Sequence, residues 1–441
     1  YWNYGVTYSD EYRRGFDCKE DLLSPGYFEV KLRKGRSFIV SVSTSEADPK
    51  TFAPTFKMLA RQSGEISDAH QQLLHCADTL ITHHNGIRKI QAGYSWLYAG
   101  LLRETLISLP GLTLCAGKAD EFEEILDNLI ADNYQRLTSR TTQVEAPLYM
   151  AVVLQYYIDH GADAKKVWKK YGKIQKEILE SYLPGVRREV TMHPNGLLWA
   201  QMDGVALSWM NAYINGRAVT ERAGYQVETN ALWYNAICFA LEMEKRRGGD
   251  KAFVAKWTPI AQLVKDNYTK VFFNERLGYL ADYVDDNGQN MEVRPNQLCA
   301  IWVKHSPVEE ELAPMVLRVI DRELITARGL RTLSPRDAKY RGVYEGSQLD
   351  RDLAYHQGST RPFLLAPYID TCFRVKGPAF WKRAQWLVEG FYEDLNKHGV
   401  GAFAELYDGD PPFEPHGAVS SAMSTSALLV VDELLKQYKE A

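Results

Sequence analysis

About twelve segments of helical length, spread from residue 67 to residue 438, constrain this chain more than any other feature. Apolar residues recur at helical spacing over 67–84, 104–116, 119–137, 146–159, 163–181, 228–246, 251–272, 292–304, 308–323, 362–375, 377–398 and 418–438. Start signals support several of them, among them Ser67-Asp68 before the first and Pro307 with Glu309–Glu311 in the first turn of another. Short turns alternate with long Gly-, Pro- and Asp-rich connections at 183–205, 272–292, 326–355 and 399–417. Alternating close and distant junctions build helical hairpins, and the pattern fits a toroid of hairpins better than a simple bundle. No repeat of solenoid period is present. Connections of that length inside a compact domain are usually functional, and here they gather the Trp, Arg, Glu and Asp residues. A cleft built from loops at one end of an all-α toroid is the expected architecture.

The first 44 residues read differently. Tyr27–Val30 and Ser37–Ser43 are strand-like runs separated by Arg33-Lys34-Gly35-Arg36, a hairpin signal. We expect residues 1–44 to be the β end of a preceding domain and 45–441 to form the helical domain. The chain opens on an aromatic stretch without an initiator Met, as expected of a piece of something longer.

Bulk properties exclude some function classes. The 441 residues are 45% apolar and 24% charged, with net charge −4 and no Lys/Arg block that would track a phosphate backbone. Nucleic acid is therefore not an expected partner. No window approaches 18 consecutive apolar residues, so no membrane span is expected. The six cysteines are scattered, with no C-x-x-C pair, and read as free thiols of a reducing, cytoplasmic compartment. The 26 Tyr and 10 Trp favour sugar only slightly, because aromatic faces pack on sugar C–H faces and fill large cores equally well.

Carboxylates cluster in AELYDGD (404–410), just before the last helix. Glycoside hydrolysis needs two carboxyl groups flanking the scissile bond, one protonating the leaving oxygen and one acting on water or carbon. A Glu followed by Asp-Gly-Asp fits a base held by neighbouring hydrogen bonds; it equally fits an Asp-rich turn. Residues 344–370 pack Glu345, Asp350, Arg351, Asp352, His356, Gln357 and Arg361 into one stretch, a density that suits hydroxyl recognition or a buried polar network. His356 has no second His at i+3 or i+4, which argues against a metal there. A segment at 92–114 enters a helix through Tyr94 and Trp96, followed by Arg103 and Glu104. Its plain reading is an amphipathic helix with a surface ion pair.

Several of these segments resemble one family in order along the chain. EDLLSPGYFEVKLRKG (20–35), ISLPGLTL (107–114), NALWYNA (230–236), RPNQLCAI (294–301), GLRTLSP (329–335), YEGSQLDRDLAYHQGS (344–359) and ELYDGDPPFEPHG (405–417) resemble the C-terminal amylo-α-1,6-glucosidase domain of glycogen-debranching enzymes. The resemblance spans essentially the whole chain. It implies an (α/α)6 barrel, inverting hydrolysis of α-1,6-linked glucose at glycogen branch points, a branched α-glucan as partner, and no metal or organic cofactor. It puts the general base on Glu405. It implies a glucose pocket lined by Tyr94, Trp96, Arg103, Glu104, Trp209, Glu228, Trp233, Tyr344, Glu345, His356 and Gln357.

The departures fall where chemistry should be. The family's WMDA, whose Asp is its catalytic acid, is here Trp209-Met210-Asn211-Ala212. An amide cannot donate a proton and regain it at neutral pH. WGRD becomes Leu102-Arg103-Glu104 without the Trp and Gly, and GTVWPW becomes Gly358-Ser359-Thr360-Arg361-Pro362-Phe363. The chain is expected either to hydrolyse glucan with a substitute acid, for which Glu221 and Asp203 are candidates, or to bind α-glucan without cleaving it.

Overall fold

The computed structural model describes residues 1–441 apart from 64, 65, 67, 248, 396, 400, 440 and 441, so Ser67 of the first start signal lies outside the described residues. About half of the chain is helical. Among the described residues twelve helices organise it: α1 (Ala69–Leu80), α2 (Leu102–Leu109), α3 (Ala119–Thr138), α4 (Tyr149–Asp159), α5 (Ala164–Ser181), α6 (Val227–Arg247), α7 (Lys251–Phe272), α8 (Leu298–Trp302), α9 (Ala313–Glu323), α10 (Leu365–Lys376), α11 (Trp381–Tyr392) and α12 (Ala422–Lys439). Further helices at Ser9–Arg13, Phe52–Ser63 and Gln348–Ala354 are additional to the sequence expectation.

The even-numbered helices touch in sequence, α2 to α4, α4 to α6, α6 to α8, α8 to α10 and α10 to α12, and α12 packs back on α2. The odd-numbered helices pack outside them: α1 and α11 on α12, α3 on α2, α5 on α4 and α6, α7 on α6, and α9 on α8 and α10. Asp68, Asp163 and Asp250 cap α1, α5 and α7, each accepting a backbone N–H at 2.9 Å. α4, α8 and α10 begin with no side-chain cap bond and continue instead from the short 3-10 turns Ala146–Leu148, Pro295–Gln297 and Pro362–Leu364.

Large aromatics fill the seam between the two sets. Trp233 of α6 meets Trp257 of α7 edge to face, with ring centroids 5.6 Å apart, and Trp168 of α5 meets Phe239 of α6 at 5.8 Å. All three indoles are at most 1% exposed. Burying a large apolar side chain contributes about 1.5–3 kcal/mol.

Two expectations are corrected. Tyr27–Val30 and Ser37–Ser43 form no strand; the N-terminal strands are Trp2–Thr7 and Lys19–Leu23, paired antiparallel around helix Ser9–Arg13. The alternation in the former runs has no sheet to serve, and Phe28 and Val42 are 98% and 95% exposed. Secondly, the long connections are not plain loops. They carry short strands in two five-stranded sheets: one runs from Val190–Met192 to Gly288–Asn290, and the other joins Ile325–Thr326, Gly329–Arg331, Thr360–Arg361, Leu406–Tyr407 and Pro415–His416. Strands of two or three residues give too little period-two pattern to be read from sequence. Their effect is to deliver the chain to the starts of even-numbered helices, as Gly224–Gln226 does for α6; Ser420–Ser421, paired with Ile87–Tyr94 in a separate sheet, does the same for α12.

Candidate active site

The N-terminal ends of the even-numbered helices surround one narrow cavity. Arg103 and Leu106 of α2, Tyr149 of α4, Glu228 of α6, Leu298 of α8, Leu364 just before α10 and Met423 of α12 all line it, with Glu145, Trp209, Asn296 and Phe363 from the connections. A wider cleft of about 620 Å³ lies beyond, lined by Trp96, Tyr344, Glu345, Asp408 and His416 and by Asp10, Arg13, Arg14 and Phe16 of the N-terminal segment. That volume is within the usual range for ligand pockets. Arg351 ties the segment down, its guanidinium 5.1 Å from the Phe16 ring centroid and its Nη1 donating to the Arg14 carbonyl at 3.4 Å.

A chain of ring contacts links the two spaces. Phe363 and His356 each meet Trp209 edge to face at 5.3 Å, Tyr355 meets His356 at 4.6 Å, Tyr344 meets Tyr355 at 5.8 Å, and His416 meets Tyr344 at 5.5 Å. Trp209 is fixed by its Nε1 donating to Asn296 Oδ1 at 2.7 Å.

Glu405 sits beside the middle of this chain and is 6% exposed. Its Oε1 accepts from the Tyr355 hydroxyl and from Arg361 Nη1, the latter at 3.0 Å, while Oε2 accepts the Ala418 N–H at 3.0 Å. A Cβ on Gly417 would stand 2.6 Å from Oε2, so only glycine allows this carboxylate its place. Asp408, two strand residues on, accepts the Tyr344 N–H at 2.7 Å and has His416 Nε2 at 3.0 Å.

At the floor, Arg103 donates from Nε to Glu145 Oε1 at 2.5 Å, and Glu104 stands 3.9 Å from Arg103 Nη1. Burial works against the charge on Arg103, but Glu145 and Glu104 outweigh it and raise its pKa. Buried atoms without a partner gather here: Arg103 Nη2, Glu104 Oε2, Glu145 Oε2, Arg361 Nε and both ring nitrogens of His356. Burial, then the charges of Arg361, Arg294, Arg103 and Arg222, hold the His356 pKa well below the ordinary histidine value, so the ring is neutral. Unsatisfied buried polar groups are costly, and these atoms retain hydrogen-bonding capacity that the protein itself does not use.

Not every residue expected in the pocket belongs to it. Trp233 lies in the core with its Nε1 on the Gly196 carbonyl at 3.0 Å; its apolar helical spacing is that of a core residue. Glu228 reaches the cavity wall but is held by Arg222, which also donates from Nε to Asp282 Oδ2 at 2.6 Å. Burial raises the Glu228 pKa, with Asp282 adding and Arg222 opposing. Gln357 is spent on Arg294, at 2.7 Å, and on Thr220, at 3.1 Å. Tyr94 donates to the Thr79 carbonyl at 2.9 Å, and Trp96 and Glu345 stand exposed at the outer cleft. Asn211 is exposed two residues beyond Trp209, its N–H on the Trp209 carbonyl at 3.1 Å. Of the candidate acids, the Asp203 side chain is 93% exposed and Glu221 accepts the Gly204 N–H at 3.2 Å. Glu145, Tyr355 and Asn296 were missed: Glu145 is a lone acid before a short turn, with no local signal, while Tyr355 and Asn296 stood inside quoted motifs.

The family model described as amylo-alpha-1,6-glucosidase matches residues 69–430, and that described as glycogen debranching enzyme N terminal matches residues 1–39. A curated protein of Saccharomyces cerevisiae, named glycogen debranching enzyme, is 24% identical over 234 residues, which is 43% of this chain and 15% of that protein. All six cysteines are free. No helix among the described residues is long and apolar enough to cross a membrane.

Proposed function

The chain belongs to the amylo-alpha-1,6-glucosidase family, and from that premise we propose that its site takes a terminal α-1,6-linked glucose of a branched α-glucan such as glycogen and hydrolyses it with inversion. The closed cycle of even-numbered helices supports an (α/α)6 toroid over 45–441, with residues 1–44 belonging to a preceding domain. The observation that carries the functional reading is the bond to Glu405 from Tyr355, whose ring belongs to the chain of contacts between the open cleft and the narrow cavity, near a group of buried, unpartnered polar atoms. The glucan enters through the outer cleft, and its terminal ring meets Trp209 and the unpaired atoms of Arg103, Glu104, Glu145 and His356. Glu405 then acts as general base. Its Oε1 already has two donors, so Oε2, with a single N–H, takes the proton from water as the oxygen attacks the anomeric carbon. The leaving oxygen needs a proton from the opposite face, about 6.5–9.5 Å from the base. Asn211 cannot supply it; of the candidate substitutes Asp203 is 93% exposed and Glu221 accepts the Gly204 N–H, so either has to move towards the bound glucose to serve as the acid. The reading places the protein in the cytoplasm, with no cofactor and no nucleic-acid partner.

A second reading is a paralogue that binds α-glucan without cleaving it. It is favoured by the amide at 211 and by the Arg361–Glu405 ion pair, which stands where the resemblance has an aromatic residue. Glucose release from a phosphorylase-limit dextrin by the native chain and by Asn211→Asp separates the two. Release by the native chain supports hydrolysis with a substitute acid. Release by Asn211→Asp alone supports the binder. Silence in both, with no affinity for the dextrin, removes both readings.

A further inference from the structure

The opposite end of the helical ring carries a cluster that the glucosidase reading does not use. Cys115 follows the turn Pro110–Leu114 that extends α2, His160 caps the C-terminal end of α4, and Glu433 lies in the second half of α12. Cys115 Sγ is 3.9 Å from His160 Nε2, which is 3.0 Å from Glu433 Oε1, and one ligand atom from each residue lies within 4.8 Å of the other two. Tetrahedral zinc with bonds of about 2.0–2.3 Å sets its ligand atoms roughly 3.3–3.6 Å apart, close to these separations.

A second observation concerns orientation. His160 Nδ1 lies 2.8 Å from the Tyr156 carbonyl, which can only accept, so Nδ1 carries a proton and donates it. The Tyr156 ring stacks on the imidazole at 6.2 Å. Both contacts aim Nε2 at the thiol and the carboxylate. A histidine anchored through its far nitrogen to a backbone carbonyl is the usual support for a metal-ligating imidazole.

We propose that Cys115, His160 and Glu433 form a binding site for a zinc-class divalent cation, distinct from the glucan site and at the other end of the ring. Thiolate, imidazole and carboxylate together are a borderline-soft donor set, which suits Zn²⁺ and Co²⁺ and not Mg²⁺ or Ca²⁺. On binding, the thiol proton passes to solvent and the cation takes its place on Sγ, while Nε2, with the ring proton held on Nδ1, binds through its lone pair. The fourth position is left for water. The three ligands come from the first, second and last helices of the inner cycle, so the cation would cross-link the seam where α12 closes on α2.

The test titrates the full chain with Co²⁺ and reads the thiolate-to-cobalt charge-transfer absorption, followed by displacement with Zn²⁺. One equivalent is expected, weakened about tenfold or more in Cys115→Ser and in His160→Gln and unchanged in Cys18→Ser. Absence of the band, or its survival in Cys115→Ser, overturns the site. If the Cys115 variant does not fold, alkylation of the native chain decides: equimolar Zn²⁺ should protect Cys115 and leave Cys18 reactive, and equal alkylation of Cys115 with and without Zn²⁺ overturns it.

Discussion

Arg361 donates to Glu405 at 3.0 Å while its guanidinium lies over Tyr355, 4.0 Å from the ring centroid. The carboxylate is thus held by a cation that is itself clamped, in a place where both partners are nearly solvent-free. Glu405→Gln removes the proposed base and keeps the shape. It should lower glucose release by about 10²–10⁴-fold and leave dextrin affinity within a few-fold. Because Arg361 then stays buried without its counter-charge, the unfolding midpoint should also fall. Unchanged release rates would remove Glu405 from the mechanism.

Two tryptophans expected in one pocket should separate cleanly. Trp209 meets the cavity and Trp233 the core. Trp209→Ala should weaken dextrin binding by roughly tenfold, the loss of an aromatic contact worth about 0.5–1.5 kcal/mol beyond its area. Trp233→Ala should cost about 3–5 kcal/mol of stability with affinity of the folded fraction preserved. Calorimetric titration and denaturant unfolding on the same preparations check both; an affinity loss confined to Trp233→Ala would reverse the assignment.

The helices were legible where the signal is local. The helix at 251–272 combines an Asp250 cap, an apolar stripe and a clear end, and it occupies Lys251–Phe272 in the structure. At 104–116 the pattern ran through a change of geometry at Pro110, where α2 gives way to a wider turn. Within the site, Arg103 and His356 were visible because they stand in unusual motifs. Glu145 was not, since its importance arises only when α2 and the start of α4 meet and Arg103 reaches it. Glu228 shows the converse: a carboxylate in the right motif whose charge is consumed by Arg222, a pairing across six residues that sequence leaves open.

The Arg222 cluster gives a stability prediction. Arg222 bridges Glu228, at 2.6 Å, and Asp282, also at 2.6 Å, with all three side chains at most 4% exposed. Arg222→Met keeps the length and strands the buried Glu228 carboxylate, while Asp282 loses its nearest cation and keeps the Asn296 donor at 2.7 Å. It should destabilise the fold by about 3–5 kcal/mol. Chemical denaturation of the variant checks this, and a change under 1 kcal/mol would show that water reaches the cluster.

His356 makes stability depend on pH with a defined sign. Its pKa is depressed in the folded state, by burial first and then by the surrounding arginines, while the unfolded chain titrates near about 6.5. Below that pH the unfolded state takes up a proton that the folded state refuses. Stability is therefore fully present above about 6.5 and is lost as pH falls towards the folded pKa, with a limiting slope of about 1.4 kcal/mol per pH unit. His305 and His398 are depressed by burial too and contribute in the same sense. The difference between the native chain and His356→Gln isolates one residue: the variant's unfolding free energy should fall less steeply between pH 6.5 and 5 by up to that slope. Saturating dextrin that hydrogen-bonds the neutral ring should leave the slope of the native profile unchanged in that window and extend it to lower pH, with no such extension in His356→Gln. Parallel profiles for the two proteins would mean that His356 takes up its proton inside the folded structure, and the neutral ring would have to be abandoned as a sugar-binding group.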